Sequence, residues 1–150
     1  MVDFSYKKFN ELTSGELHDI FALRLEVFVV EQDCIYQDID GKDKDSVHVL
    51  GLEEGKIIAY ARILKRGFAY KKYNSIGRIV VSEDFRSRNI GHELVKFSIE
   101  VTKNIFPKTS IKISAQAHLQ KFYEKHKFQI SGHSYLEDGI PHIRMILLER

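Results

Sequence analysis

Two hydrophobic spacings alternate along this chain. Short runs rich in Val and Ile, typical of strands, are separated by stretches in which apolar residues recur every three or four positions, as they do in helices. The pattern predicts, in order, a strand, a helix, a polar loop, three strands, a helix, a strand, a short helix and two strands. We therefore expect an α/β (α+β) fold, with a mixed, mostly antiparallel sheet of six to seven strands and helices on both faces.

The boundaries of the helices carry the clearest local signals. Thr13 and Glu16 form a capping-box pattern, which predicts a first helix over about 14–30. A second amphipathic helix begins near Ile90 and ends before Pro107, and a short third helix covers 118–125. The predicted strands cover residues 3–8, 47–52, 56–64, 76–81, 110–115, 128–136 and 140–148.

Size and composition narrow the classes of function. A chain of 150 residues that is 43% hydrophobic suits a single domain over 1–150. A balance of 23 basic against 21 acidic residues argues against a nucleic-acid partner. No stretch approaches the ~20 apolar residues of a membrane span, and the first residues lack the apolar core of a signal peptide. With one cysteine and no internal disulfide, we expect a cytoplasmic protein without a membrane partner.

Residues 31–46 are polar and rich in aspartate. An EF-hand alignment on Gly41 places Tyr36 and Val47 where carboxylates are required, so this is not a calcium loop of that type. We interpret the segment as a solvated acidic loop; the alternative is a rim whose field attracts cationic substrates. Because the histidines are scattered and Cys34 has no spaced partner, we expect no metal site.

The turn between the strand ending at Val81 and the helix beginning at Ile90 has the features of an anion site. The first N–H groups of that helix, its dipole and the side chains of Arg86 and Arg88 all favour a negative ligand. The turn lacks the Lys-Ser/Thr pair of a P-loop and the glycine triplet of a Rossmann turn. The alternative is a plain strand–loop–helix with exposed arginines. On the first interpretation, the N–H groups and arginines of this turn bind a phosphate-bearing ligand.

Two segments resemble the GNAT superfamily of N-acetyltransferases. Residues 79–91, IVVSEDFRSRNIG, resemble its acetyl-CoA signature, and residues 122–128, FYEKHKF, resemble its FYEKxGF segment. The predicted order of elements matches the family fold over essentially the whole chain. Three further segments are similar to the ElaA-like branch of the family: 24–32, 115–118 and 137–142.

The chain departs from the family pattern at a few positions. Asn89 and Lys127 stand where the family has glycine, and Glu83 stands where it often has proline. Asn is among the few residues that tolerate left-handed backbone angles, so the turn can keep its shape. None of these changes removes a catalytic atom.

The resemblance implies an acetyl-CoA-dependent N-acetyltransferase that moves an acetyl group to a primary amine by direct attack. Acetyl-CoA would be the co-substrate, the acceptor a small-molecule or peptide amine, and no metal would take part; homodimers are common in the family. Tyr123 would be the general acid, while His142 and Glu31 are candidates for the base or relay, with Glu137 and His48 also open. The implied cofactor-binding residues are Ile79, Val80, Val81, Arg86, Ser87, Arg88, Asn89, Ile90, Gly91, His92, Gln116 and Phe122.

A second function stays open at this level: a non-catalytic acyl-CoA sensor or interaction module on the same fold. It is motivated by the base, for which no single residue stands out. The acceptor is undetermined because it would be selected by the 31–45 loop and the final hairpin, whose side-chain directions the sequence does not show.

Overall fold

The computed structural model of the chain describes residues 1–149, which are organised around an eight-stranded sheet. Its strands are β1 (Asp3–Lys8), β2 (Val47–Glu53), β3 (Lys56–Leu64), β4 (Asn74–Val81), β5 (Ile111–Gln116), β6 (Gln129–Ile130), β7 (Tyr135–Glu137) and β8 (Ile140–Leu147). The order across the sheet is β1-β2-β3-β4-β5-β8-β6, and β7 also pairs with β8. Every pairing is antiparallel except that of β4 with β5. The predicted mixed, mostly antiparallel sheet is confirmed, with eight strands where six to seven were expected.

Three α-helices cover the two faces of the sheet: α1 (Ser14–Leu25), α2 (Ile90–Ile105) and α3 (Gln120–Glu124). The capping box that starts α1 is present, because Thr13 Oγ1 accepts the Glu16 N–H and Glu16 accepts the Thr13 N–H. The chain then continues from α1 as a π-helical turn, Glu26–Glu31. Turns of this kind are rare and occur often at functional sites.

Each face of the sheet buries its own apolar cluster. On one face, Ile20, Leu23 and Val27 pack against side chains from β2, β3 and β4. On the other face, α2 and α3 cover the larger cluster, which includes Ile111, Ile113 and Ala115 of β5. Since strand side chains alternate, Lys112, Ser114 and Gln116 point to the α1 side of the sheet, where they are only half-buried. That part of the sheet remains open for a site.

The predicted strand over 128–136 is wrong in its continuity. The chain forms the short strands β6 and β7, separated by residues 131–134. The Ser131 N–H still donates to the Arg144 carbonyl at 2.8 Å, but Gly132 then takes a left-handed φ of +90°. That backbone conformation leads the chain away from β8, and pairing resumes only at Tyr135.

The interpretation of 31–46 as a solvated acidic loop is wrong for two of its aspartates. Asp38 and Asp43 are buried, and both pair with Arg24, whose side chain is 0% exposed, at 2.9 and 2.7 Å. Arg62 pairs with Asp40 at 2.9 Å, and Arg78 reaches Asp38 at 2.8 Å. Because arginines from α1, β3 and β4 neutralise these carboxylates, the segment is anchored to the fold and does not form a rim of free negative charge.

Strands β4 and β5 pair only at their beginnings. Their register contains two pairs, Asn74 with Ile111 and Ser75 with Lys112. Beyond them β4 carries a backbone irregularity: Arg78 has a left-handed φ of +49°, and the register with β3 shifts between Tyr60 and Arg62. Such bulges bend a strand. The two strands therefore separate, and a cavity opens between them.

Candidate active site

The cavity between the separated strands has a volume of about 1120 Å³. Its walls come from β4, β5, the π-helical turn, the start of α2, α3 and the β7–β8 turn. Pockets for drug-sized ligands measure about 300–1,000 Å³, so this one can hold a larger ligand. From Ile76 onward the β5-facing edge of β4 has no partner strand. Unpaired main-chain groups of this kind can bind an extended ligand as an added strand.

The N-terminus of α2 opens into this cavity without a capping side chain. Asn89 is its N-cap residue, with a left-handed φ of +62°, and its side chain makes no cap hydrogen bond. In α1, by contrast, Thr13 and Glu16 satisfy the equivalent donors. The first N–H groups of α2 and the positive end of its dipole are thus available to an anion. The expectation that Asn89 preserves the left-handed turn is confirmed.

Ser87 repeats the left-handed backbone two residues before Asn89. Its φ is +66°, and neither residue is a glycine. Each such residue costs about 1–2 kcal/mol relative to ordinary backbone. Strain of this kind is concentrated at binding sites, and alternating backbone conformations can aim successive N–H groups at one anion. The turn therefore has the backbone form of an anion cradle.

Gly91 adds an independent sign of a bulky ligand. A Cβ placed on Gly91 would meet nothing closer than the Phe122 ring, at an ordinary contact distance of 3.5 Å. The protein's own packing therefore does not require glycine here. The missing side chain leaves the backbone of the first turn of α2 accessible from the cavity, as close approach of a pyrophosphate requires.

The two arginines of the turn lie in different places. Arg86 lines the cavity, where its guanidinium forms a bidentate pair with Glu31 at 2.6 and 3.0 Å and donates from Nε to the Val81 carbonyl. Arg88 is not among the cavity-lining residues and pairs with Glu53 at 2.7 Å. Exposed pairs such as Arg86–Glu31 are worth only about 0–1 kcal/mol, so an incoming phosphate can replace Glu31.

Tyr123 reaches the cavity from α3 with its ring buried. Phe122 and Phe128 pack edge-to-face against it, at centroid distances of 5.0 and 6.0 Å. Tyr123 lines the cavity, and no residue within 1–149 hydrogen-bonds its hydroxyl. Burial raises the pKa of Tyr123 above its ordinary value, because the phenolate is the form that loses solvation. The side chain is thus a protonated donor facing the cavity.

His142 and Glu137 face the same cavity from β8 and β7. The His142 Nδ1–H donates to the Ile140 carbonyl at 2.7 Å, so the neutral ring carries its lone pair on Nε2. That nitrogen lies 3.4 Å from Glu137 Oε2. Glu137 in turn accepts from Ser114 Oγ, which is also hydrogen-bonded to the Tyr135 hydroxyl. The arrangement can accept a proton at His142 and stabilise the resulting charge.

His48, the other histidine considered as a base, lies outside this cavity. Its ring is fully buried in β2, and both nitrogens are occupied, Nδ1 by the Tyr60 hydroxyl at 2.6 Å and Nε2 by the Asp43 carbonyl at 2.9 Å. Burial lowers the pKa of His48, which keeps the ring neutral. Its contacts belong to the buried network around Asp43.

Sequence reasoning missed a histidine pair at the start of α2. His92 Nδ1 lies 2.9 Å from His126 Nε2, and the His92 ring stacks on Phe122 with centroids 4.3 Å apart. Burial and the neighbouring His92 lower the pKa of His126. The residues are 34 positions apart, so only the packing of α3 against α2 brings them together. The FYEKHKF segment was the only available signal.

All the remaining residues expected to bind the cofactor line the cavity. Gln116 lies in the β5 wall and donates to the Gln32 side chain at 3.3 Å. The other expected residues in the walls are Ile79, Val80, Val81, Ser87, Asn89, Ile90, His92 and Phe122.

Within residues 1–149, no cluster of three or more His, Cys, Asp or Glu side chains could hold a metal ion. In the same residues, no helix is long and apolar enough to cross a membrane.

The chain belongs to the GNAT acetyltransferase family: the model of the family's acetyltransferase (GNAT) domain matches residues 6–149. It is therefore an acyltransferase, and its mixed sheet is that of the family. It is similar to Protein ElaA of Escherichia coli, with 41% identity over 97% of this chain and 95% of the relative. These matches confirm the resemblance to the ElaA-like branch.

Solved structures agree with this assignment. The crystal structure of E. coli ElaA superimposes with a TM-score of 0.91 at 40% identity, covering 97% of this chain and 99% of that one. An acyl-CoA N-acyltransferase from Pseudomonas aeruginosa gives a TM-score of 0.92 at 38% identity, with the same coverage of both chains. A GNAT acetyltransferase from Elizabethkingia anophelis with acetyl-CoA bound shares the fold at 19% identity and a TM-score of 0.65, covering 97% and 94% of the two chains.

Proposed function

We propose that this protein transfers the acetyl group of acetyl-CoA to an amine by direct attack, with Tyr123 as the general acid. The observation that carries the proposal is the Tyr123 hydroxyl, which is protonated and has no partner within residues 1–149. Tyr123 lines the same cavity as the open N-terminus of α2. The hydroxyl is free to take a hydrogen-bond partner from a ligand in the cavity. A thiolate leaving group would supply that partner during the reaction.

The residues around the cavity fit coenzyme A. The N–H groups at the start of α2, with Arg86, would hold the pyrophosphate, because they combine fixed donors with positive charge. The unpaired edge of β4 beyond Ser75 would bind the pantetheine arm through main-chain hydrogen bonds. One structural relative, which shares the fold, contains acetyl-CoA.

The chemistry then requires two proton transfers. The neutral amine attacks the thioester carbonyl, so that a C–N bond forms and the C–S bond breaks. A backbone N–H on β4 would polarise the carbonyl as negative charge develops. Tyr123 gives its proton to the departing thiolate, and a base takes the proton that the amine nitrogen loses.

His142 is the base that the geometry favours. Its lone pair is on Nε2, which faces Glu137, and its tautomer is set by the Ile140 carbonyl. Glu31 is another candidate, but its carboxylate binds Arg86 at both oxygens. It could accept a proton only after that pair opened. We therefore assign the proton transfer to His142, with Glu137 stabilising the imidazolium.

The direct test is release of free coenzyme A. The purified protein is incubated with acetyl-CoA and a panel of polyamines, amino acids, aminoglycosides and peptides, and free thiol is followed over time. We expect release that depends on one class of amine, with the acetylated product identified by mass spectrometry. Release no faster than hydrolysis across a broad panel, together with tight acetyl-CoA binding, would instead favour the acyl-CoA sensor.

Replacing Glu31 with Gln separates its two candidate roles, which are general base and ion-pair partner of Arg86. The change frees the Arg86 guanidinium and removes a negative charge next to the phosphate cradle. We expect the KM for acetyl-CoA to fall about threefold to tenfold, since the pair it removes is worth roughly 1 kcal/mol. We expect kcat to change by less than about threefold, because His142 carries the proton. Steady-state kinetics with acetyl-CoA as the varied substrate measures both values.

Glu83→Gln is the matched control for this experiment. Glu83 is also exposed and lies near Arg86, but no hydrogen bond joins the two side chains. It should leave the KM for acetyl-CoA almost unchanged. If Glu31→Gln lowered kcat by about a hundredfold or more, the general-base role would move from His142 to Glu31.

A further inference from the structure

The face of β5 and β8 opposite α2 carries a row of polar side chains that leads away from the cavity. Gln116 lies opposite His142 and Ser114 lies opposite Arg144 in the antiparallel pairing of the two strands. Lys112 is two residues further along β5 on the same face. The row therefore begins at the proposed base and ends at two cations.

Arg144 and Lys112 differ from most other cations near the site in having no acidic partner. Arg24, Arg62, Arg78, Arg86 and Arg88 all pair with carboxylates. Within residues 1–149, no carboxylate lies within ion-pair distance of either Arg144 or Lys112. Arg144 is exposed and Lys112 is half-buried, so solvent and a ligand can reach both. Their positive charge is available to an anion.

Three tyrosines hold these two cations in place. The Arg144 guanidinium lies over the Tyr135 ring, 4.3 Å from its centroid. The Lys112 ammonium lies 5.0 Å from the Tyr70 ring centroid and 5.2 Å from that of Tyr73. Stacking a guanidinium on an aromatic face leaves its edge N–H groups to polar partners. The Tyr70 hydroxyl lies against part of the Arg144 edge, and the remaining N–H groups can bind a planar anion such as carboxylate. The cations are thus oriented before a ligand arrives.

Hydrogen bonds connect this cationic end to the reacting end. Ser114 bonds both the Tyr135 hydroxyl and Glu137, and Glu137 faces His142. The reacting end is acidic, because Glu137 and Asp138 both lie in the cavity wall. An acceptor would thus meet negative charge where its amine must react, and positive charge further along the same face.

We infer that the acceptor is an amine that also carries a carboxylate, with the amine at Glu137 and His142 and the carboxylate on Arg144. This inference rests on the proposed acetyltransferase function. His142 and Arg144 are two residues apart on β8, a backbone distance of about 7 Å. That separation matches an amine and a carboxylate joined by a short carbon chain.

The test compares acceptors that differ only in the carboxylate. The full chain, with coenzyme A present, is titrated calorimetrically with 5-aminovalerate and with pentylamine, and the same compounds are assayed for acetyl transfer. We expect 5-aminovalerate to bind at least about tenfold more tightly and to have a correspondingly lower KM. Arg144→Gln should remove that difference while leaving the KM for acetyl-CoA and the KM for pentylamine unchanged.

Arg66→Gln is the control, since Arg66 is also exposed but lies after β3, on neither β5 nor β8. It should preserve the preference for 5-aminovalerate. Equal binding of the two amines, or an Arg144→Gln variant that keeps the preference, would overturn the inference and leave the acetyltransferase proposal standing. Tight carboxylate-dependent binding without any acetyl transfer would support the anion subsite and count against the proposed reaction.

Discussion

Tyr123→Phe should lower kcat by about 10²–10³-fold while leaving acetyl-CoA affinity nearly unchanged. The substitution removes only the hydroxyl, which is the proton donor to the departing thiolate, and general acid catalysis is worth about 10²–10⁴-fold. The ring would keep its edge-to-face contacts with Phe122 and Phe128. Since the hydroxyl makes no hydrogen bond within residues 1–149, the melting temperature should also be preserved. Thiol-release kinetics, acetyl-CoA titration and a thermal melt measure the three quantities.

The pH dependence of kcat provides a second test of the role of Tyr123. Burial raises the pKa of Tyr123 above its ordinary value of 10.0, because it penalises the charged phenolate. The protonated form, which is the competent acid, therefore persists through neutral and moderately alkaline pH. Loss of kcat from deprotonation of Tyr123 should begin only above pH ~10.

Tyr6→Phe is the control for this substitution, because Tyr6 is exposed on β1 and lies outside the cavity wall. It should retain wild-type kinetics. A Tyr123→Phe enzyme within about threefold of the wild-type kcat would remove Tyr123 from the mechanism. If the wild type itself bound acetyl-CoA but transferred nothing, the sensor function would be favoured instead.

Arg24→Ala should destabilise the fold by about 3–5 kcal/mol. The substitution leaves Asp38 and Asp43 buried with one arginine each, Arg78 and Arg62, where each now has two. Removing one partner from a buried network of charges is strongly unfavourable. For a domain of this size the melting temperature would fall by roughly 10 °C, at about 2–4 °C per kcal/mol. Chemical denaturation and a thermal melt at pH 7 measure the loss.

Arg66→Ala is the control, since exposed positions usually change stability by no more than about 0.5 kcal/mol. The triple change Arg24→Leu, Asp38→Asn and Asp43→Asn should recover part of the loss, because it removes the buried acids together with their partner. A loss below about 1 kcal/mol in Arg24→Ala would mean that water reaches these carboxylates in the folded protein.

The stability of Arg24→Ala should be measured at neutral pH, because protonation of Asp40 in acid weakens the same network of ion pairs. Burial alone would raise the pKa of Asp40, but the hydrogen bonds and charges of Arg62, with the Lys42 N–H and Arg78, hold it well below its usual range. A depressed folded-state pKa contributes stability above the unfolded value near ~3.9 and loses it as the pH falls further. Below pH ~4 the wild type would therefore weaken too.

Local rules predicted the regular elements because those elements depend on neighbouring residues. The capping box of Thr13 and Glu16 starts α1 as expected, and the hydrophobic period of α2 was read correctly. Asn89 takes the left-handed backbone that its chemistry allows. Lys127, at the other expected glycine, also takes a left-handed φ, of +73°. Backbone demands of this kind extend over only a few residues, so a sequence pattern can show them.

The interpretation of the acidic segment 31–46 failed because charged side chains from distant elements meet there. Asp38 and Asp43 belong to a segment whose composition is typical of a solvated loop, yet Arg24 lies 14 and 19 residues away and buries them. The Arg86–Glu31 pair spans 55 residues. No local period encodes such pairings, since they arise only when α1, β3 and β4 pack together.

By itself, the sequence determined the order and type of most of the elements and the uncapped turn before α2, because hydrophobic spacing, backbone conformation and helix ends are local properties. Through its motifs it also indicated the acyl donor. Only the tertiary structure separated β4 from β5 and aimed Tyr123 into the resulting cavity. Only the structure, too, placed Glu137 and His142 at one end of a face whose other end carries Arg144 and Lys112. Those arrangements depend on long-range packing and strand register, which decide where each charge points.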